Sequence, residues 1–129
     1  MKQIIYLTTS LLFFITFASC NNDNDDSTSS TPRVIRYEVT GNFTGSMFAS
    51  YTTANGGTAN DPVSSLPWNK EITYNNSVTA AIIAFSGNGG VAGQQITIIV
   101  KRGNSQLSST TATAGSSGGF TISAPVVTF

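Results

Sequence analysis

From Arg33 to the end of the chain, apolar and polar residues alternate in short runs separated by Gly and Asn. Ile35, Tyr37 and Val39 fall on one side of Arg33–Thr40 and Arg36, Glu38 and Thr40 on the other, the period of a half-buried strand. Gly41-Asn42 ends it. A second strand is predicted from about Gly45 to Thr53, where Met47, Ala49 and Tyr51 alternate before the breaker Ala54-Asn55-Gly56-Gly57. The stretch from Thr58 to Pro67 reads as loop.

Trp68–Tyr74 reads as a third strand. Ser77–Phe85 reads as a fourth, apolar on both faces (Val78, Ala80, Ile82 against Ala81, Ile83, Phe85) and therefore interior to a sheet. After Gly87-Asn88-Gly89-Gly90, the run Gln94–Arg102 forms a fifth, with Ile96, Ile98 and Val100 pointing one way. Gly103-Asn104 turns it toward a sixth, Gln106–Ala114, and Gly115–Gly119 precedes a last strand from Phe120 to about Val127. Short strands at this spacing, with no helical pattern in the domain, predict an all-β fold: an immunoglobulin-like antiparallel β-sandwich of about seven strands. A membrane barrel is excluded, because at least eight strands of ~9–11 residues are needed.

The first 32 residues follow a different pattern. Lys2, the apolar runs Ile4–Leu7 and Leu11–Ile15, and the close Phe17-Ala18-Ser19-Cys20 have the basic start, apolar middle and small-residue end of an export signal. Ile4–Ser19 contains three Thr and two Ser, and falls short of the ~20 apolar residues that span a bilayer. Ala18-Ser19-Cys20 resembles the bacterial lipobox, with Phe17 where Leu is usual. Cys20 is the only cysteine of the chain, so no intrachain disulfide competes with acylation. Residues 21–32 hold no apolar side chain and read as a flexible acidic tether. The expected organisation is a lipoprotein signal peptide over 1–19, a lipidated Cys20 with its tether over 20–32, and one domain over 33–129. The acidic cluster Asp23, Asp25, Asp26 resembles the surface-export signal of Bacteroidetes lipoproteins. Asp26-Ser27-Thr28 is similar to the O-glycosylation motif of that phylum, with Ser27 as acceptor. An outer-membrane lipid anchor follows, with the domain either at the cell surface or facing the periplasm.

Composition narrows the chemistry. Charged residues are 9% of the chain and formal net charge is zero. The domain carries five basic groups (Arg33, Arg36, Lys70, Lys101, Arg102) against three acidic ones (Glu38, Asp61, Glu71), too few and too scattered for a nucleic-acid partner. With no His, and Cys20 assigned to the anchor, the usual general base, thiol nucleophile and soft zinc ligands are missing. Three scattered carboxylates make no catalytic pair. The tether aspartates lack the glycine turn and distal Glu of a calcium loop, and Gly87–Gly90 lacks the Lys-Ser/Thr of a phosphate cradle. No catalytic residue, metal or cofactor is expected. Trp68 and Tyr51 are candidates for glycan stacking, with core packing as the competing role, and Lys101-Arg102, the one basic pair, reads as a solvated strand end ahead of a patch for anionic polysaccharide.

Arg36-Tyr37-Glu38-Val39-Thr40-Gly41, Ala49-Ser50-Tyr51-Thr52, Leu66-Pro67-Trp68-Asn69-Lys70 and Ile96-Thr97, in this order and spacing, resemble the mycobacterial small membrane protein family, MmpS. The resemblance implies an immunoglobulin-like sandwich on the outer side of a membrane, accessory to a large resistance-nodulation-division exporter. It also implies two departures. A lipid on Cys20 stands in for the family's transmembrane anchor, and Ile98 and the neighbourhood of Ala124 occupy the places of its late paired cysteines. The expected function is a lipid-anchored extracytoplasmic interaction module with an envelope or exporter protein as partner. The alternative is a cell-surface binding module for glycan or host protein. Exposed strand edges offer dimer contacts without specifying a symmetry.

Overall fold

A computed structural model describes residues 32–129. The signal peptide, Cys20 and Ser27 lie outside the described residues. Among the described residues ten strands form two four-stranded sheets and a two-stranded ribbon, with every pair antiparallel. This is the expected all-β sandwich. The first sheet has the order β4-β1-β7-β8, from β4 (Trp68–Thr73), β1 (Val34–Gly41), β7 (Gln95–Arg102) and β8 (Ser105–Thr113). The second has the order β3-β2-β6-β9, from β3 (Thr58–Val63), β2 (Ser46–Thr52), β6 (Ile83–Asn88) and β9 (Phe120–Ser123). Between them β5 (Ala80–Ala81) pairs with β10 (Val127–Thr128).

The alternation read from the sequence sorts side chains between core and solvent. Ile35, Tyr37 and Val39 of β1 and Ile96, Ile98 and Val100 of β7 are buried, and they face Met47, Ala49 and Tyr51 of β2 and Ile83 and Phe85 of β6. Both sheets thereby contribute one apolar face, as a sandwich requires. Ile98 and Ala124 are both in this core.

Three expectations need correction. Thr58–Val63 is a strand, not a loop. It pairs along its length with β2, from Thr52↔Thr58 to Met47↔Val63, but it is an edge strand burying little beyond Val63, so its sequence carries no period-two signal. Pro62 is tolerated there because an edge strand leaves one row of amides unpaired. Second, Ser77–Phe85 is not one strand buried on both faces. Ala80 and Ile82 are exposed, and the run serves two partners in turn, β10 through Ala80–Ala81 and β2 from Ile83 onward. The hand-over falls at Ile82, whose amide is taken by Thr52 Oγ1 at 3.1 Å and whose carbonyl accepts from Thr52 N at 3.0 Å. Its second half, β6, is interior to its sheet as expected. Third, the final strand is interrupted at Ala124-Pro125-Val126, where proline lacks a ladder donor, leaving β9 and β10 as separate pieces.

A buried hydroxyl chain joins the sheets. Tyr74 Oη donates to the Thr52 carbonyl at 3.0 Å, so the 2.9 Å contact between Tyr37 and Tyr74 has Tyr37 as its donor. Burial, followed by this bond, pushes the Tyr37 phenol far above the ordinary tyrosine range, and burial also raises that of Tyr74. The order of donors makes the two tyrosines unequal. Tyr37→Phe removes one bond and leaves Tyr74 still donating, an expected cost of ~0.5–1.5 kcal/mol. Tyr74→Phe strands the Tyr37 hydroxyl and the Thr52 carbonyl and is expected to cost ~1–3 kcal/mol. Urea unfolding of the two variants checks the ranking, and equal costs would break the assigned direction.

Both phenols bear on alkaline stability. Their folded values lie above the ordinary tyrosine value of 10.0, so above that pH the folded state holds protons that the unfolded chain releases. Their stabilising contribution is complete below pH 10.0 and declines as pH rises beyond it.

Candidate functional site

The residues singled out in the sequence fall into two separate places. Tyr51 and Trp68 come together at one seam of the sandwich. Trp68 opens β4 on the inner side of the first sheet, and its indole packs edge-on against Phe85 of the second sheet at 5.2 Å between ring centres. Tyr51 lies 6.4 Å away, tilted by 47°. Trp68 is only partly buried, so it is both a lid on the core and an aromatic surface.

Two charged residues complete this seam. Trp68, Lys70 and Ile72 share one face of β4, which directs Lys70 inward at the sheet edge. Asp61 shares the inner face of β3 and lies diagonally beside Tyr51, whose direct partner is Ala59. Lys70 Nζ reaches across to Asp61 Oδ2 at 3.1 Å and sits 4.8 Å from the Tyr51 ring centre. Tyr51 Oη donates to the same Asp61 oxygen at 2.6 Å. The Tyr51 hydroxyl, with Lys70 in support, holds the Asp61 carboxyl below its ordinary range. Tyr51 and then Asp61 raise the Lys70 ammonium. Inward charges at an edge also deter other strands from pairing there.

Replacing Tyr51 with Phe is expected to move the Asp61 pKa up toward the ordinary carboxylate value while keeping the ring packed. A carboxyl carbon NMR titration reads this directly. An unmoved titration would show that the hydroxyl does not bond the carboxylate. The depressed Asp61 favours the fold above its unfolded pKa, and that contribution is lost as pH falls through the lower, folded one.

Lys101 and Arg102 are not brought together as a basic patch. Consecutive strand residues point to opposite faces. Lys101 lies outward and pairs with Glu38 Oε2 at 2.8 Å, while Arg36 holds the other oxygen at 3.1 Å. The Lys101 bond, with both charges, keeps the Glu38 carboxyl below its usual range. Arg102 turns toward the far end of the sandwich, where it donates to the Thr128 carbonyl at 2.8 Å and lies 5.3 Å from the Phe129 ring centre. Arg33 stacks on the same ring at 4.3 Å and bonds the carbonyls of Tyr74, Asn75 and Val78. Both cations are therefore committed to closing that end.

An open groove of ≈ 700 Å³ lies at the other end, lined by Thr44–Phe48, Pro62–Ser64, Asn88 and Gly89. Phe48, half exposed on the outer side of β2, supplies its largest apolar surface. The sequence reading missed this groove because its lining comes from three separate strand ends. It also missed Asp61 and Lys70, whose pairing depends on β3 being a strand. Among the described residues no three His, Cys, Asp or Glu side chains gather to hold a metal, and no helix is long and apolar enough to cross a membrane.

The sequence model of a family described as "Mycobacterium membrane protein" matches residues 15–115, most of the chain. The chain belongs to this family. No curated protein and no solved structure matches it. The match to the Mycobacterium membrane protein family takes in β1 to β8 and so contains the whole Tyr51–Asp61–Trp68–Lys70 seam. Membership makes this a membrane-associated protein family's fold, and the residues that carried the resemblance take specific places in it. Tyr37 and Val39 are core, Gly41 ends β1, and Trp68 and Lys70 close the seam.

Proposed function

We infer that the chain is a lipid-anchored extracytoplasmic interaction module, without catalytic activity of its own, that serves as an accessory to an envelope transport system. The family match over residues 15–115 carries this reading. The side chains support it. The described domain holds no His or Cys, and its three carboxylates are separated, with Asp61 and Glu38 bound to cations. Cys20 takes the lipid, the acidic tether spaces the domain from an outer membrane, and Ser27 accepts a glycan.

Metabolic labelling with an alkyne fatty acid, comparing the native chain with Cys20→Ala, tests the anchor. Label lost in the variant is expected, and label absent from both would overturn the anchor. Crosslinking in intact cells followed by purification under denaturing conditions tests the accessory role. The expected result is capture of an exporter or envelope subunit, and a chain that crosslinks to no membrane component would overturn it.

A second reading, a surface module for glycan, is favoured by the adjacency of Trp68 and Tyr51 beside the Lys70–Asp61 pair, an apolar face next to polar groups. Protease treatment of intact cells separates the two. A chain cut from the outside favours the glycan reading, and a protected one favours the accessory reading.

A further inference from the structure

The four outer strands of the two main sheets are not equally guarded. An edge strand exposes unpaired amides and carbonyls, and proteins blunt such edges with charge, proline, shortness or a bulge. On β4 the guards are Lys70 and Glu71, on β3 they are Asp61 and Pro62, and β9 is only four residues long. The remaining edge, β8, runs nine residues as Ser-Gln-Leu-Ser-Ser-Thr-Thr-Ala-Thr, with neither charge nor proline, and β9 of the facing sheet passes beside it without joining its ladder. Its one irregularity is a bulge where Val100↔Ser108 gives way to Lys101↔Gln106, which isolates Leu107 and leaves Ser108–Thr113 in regular register with β7.

We propose that β8 is a homotypic pairing edge, through which a second copy of this chain adds antiparallel to Ser108–Thr113. Residues opposed across an antiparallel pair share a face, so a two-fold axis normal to the sheet must fall midway between the two copies of one residue, Thr110 or Thr111. Either register sets only Ser, Thr and Ala opposite one another over the central pairs, with no like charges facing. No other long edge among the described residues allows that. Two copies of β4 would bring Lys70 and Glu71 near their own counterparts, and two copies of β3 would oppose Asp61 and prolines. The bonding between the new neighbours already exists within one copy: Thr97 and Thr111 share a hydroxyl–hydroxyl bond of 2.8 Å across β7 and β8. Ser109, Thr111 and Thr113 would extend that row, and cross-strand Thr pairs favour pairing. Beside this edge Leu107 is 45% exposed and Val126 57% exposed, and both line a cleft of ≈ 230 Å³ that a second copy would shelter.

A single strand pair falls at the small end of specific interfaces, below the ~1,200 Å² of a stable one, so association is expected to be weak and concentration dependent. Sedimentation velocity of the full chain in detergent and reductant, over a concentration series, tests it. The native chain is expected to pass from monomer to dimer as concentration rises. Thr111→Lys, which places like charges across the two-fold, is expected to remain monomeric at every concentration. Asn69→Lys, the same charge on the exposed side of β4, is expected to dimerise like the native chain. Circular dichroism melting checks that each variant folds. A native chain monomeric throughout, or a folded Thr111→Lys variant that still dimerises, would overturn the proposal.

Discussion

Phe85→Ala is expected to lower domain stability by ~3–5 kcal/mol, the cost of replacing a fully enclosed Phe and leaving a cavity. Phe85 is 1% exposed at the centre of β6, between Ala49 of β2 and Ile122 of β9 in register. Its ring takes the edge-on contact with Trp68 that ties the second sheet to the rim of the first. Edge-to-face pairs add ~0.5–1.5 kcal/mol beyond the area they bury, so losing this one loosens the Trp68 seam as well. In a domain of this size each kcal/mol lowers Tm by ~4–8 °C, so a fall of more than about 12 °C is expected. Total stability for such a domain is ~5–15 kcal/mol, which leaves the variant near its unfolding threshold. Phe48→Ala is the control, because Phe48 is 49% exposed on the outer face of the neighbouring strand. Its effect is expected within ~0.5 kcal/mol. Thermal unfolding followed by circular dichroism reads both, and equal losses would mean that the inner and outer faces of this sheet are wrongly assigned.

The contrast between the two phenylalanines also shows where the sequence was informative. β1, β2 and β7 combine strict alternation with a Gly or Asn breaker, and each of the three lies within two residues of its expected bounds. Such signals arise because one face is buried and the other wet. β3 has almost no buried face, so its polar, proline-containing run looked like loop although it pairs along its length with β2. The same loss of signal hid the Tyr51–Asp61–Lys70 group. These residues are joined by the β2–β3 register and by a reach between sheets, neither of which periodicity encodes. For Lys101-Arg102 the favoured reading was a solvated strand end. Adjacent strand residues point apart, so a neighbouring pair of cations is no patch, and the period-two rule already contained that outcome. The apolar run at Ser77–Phe85 misled because alanine is indifferent to exposure, so Ala80 marked no face at all.

Gly41 is where the motif carried by β1 has a conformational cause. It ends β1 opposite Ile96, with φ at +148°, a backbone conformation that side chains rarely adopt. A Cβ there would be driven into the Gln95 carbonyl oxygen and would stand 2.9 Å from the Ile96 Cα. Both obstacles are backbone atoms of the central strand β7, so no side-chain rotation relieves them. The next residue depends on the same approach: Asn42 N donates to the Gln95 carbonyl at 3.0 Å, and Asn42 Oδ1 accepts from Gln95 N at 2.7 Å. Gly41→Ala therefore combines backbone strain of ~1–3 kcal/mol with loss of this bond pair, each bond worth ~0.5–1.5 kcal/mol. The expected total is ~2–6 kcal/mol, close to that of emptying the core at Phe85. Gly103→Ala separates conformation from contact, since its φ is +57° but its Cβ would meet nothing within 4 Å. That variant is expected to lose ~1 kcal/mol, the usual left-handed cost for a side chain. Urea unfolding of the two variants decides the matter. A Gly41→Ala loss no greater than that of Gly103→Ala would mean that β1 and β7 do not approach as closely at Gln95 as the fold requires.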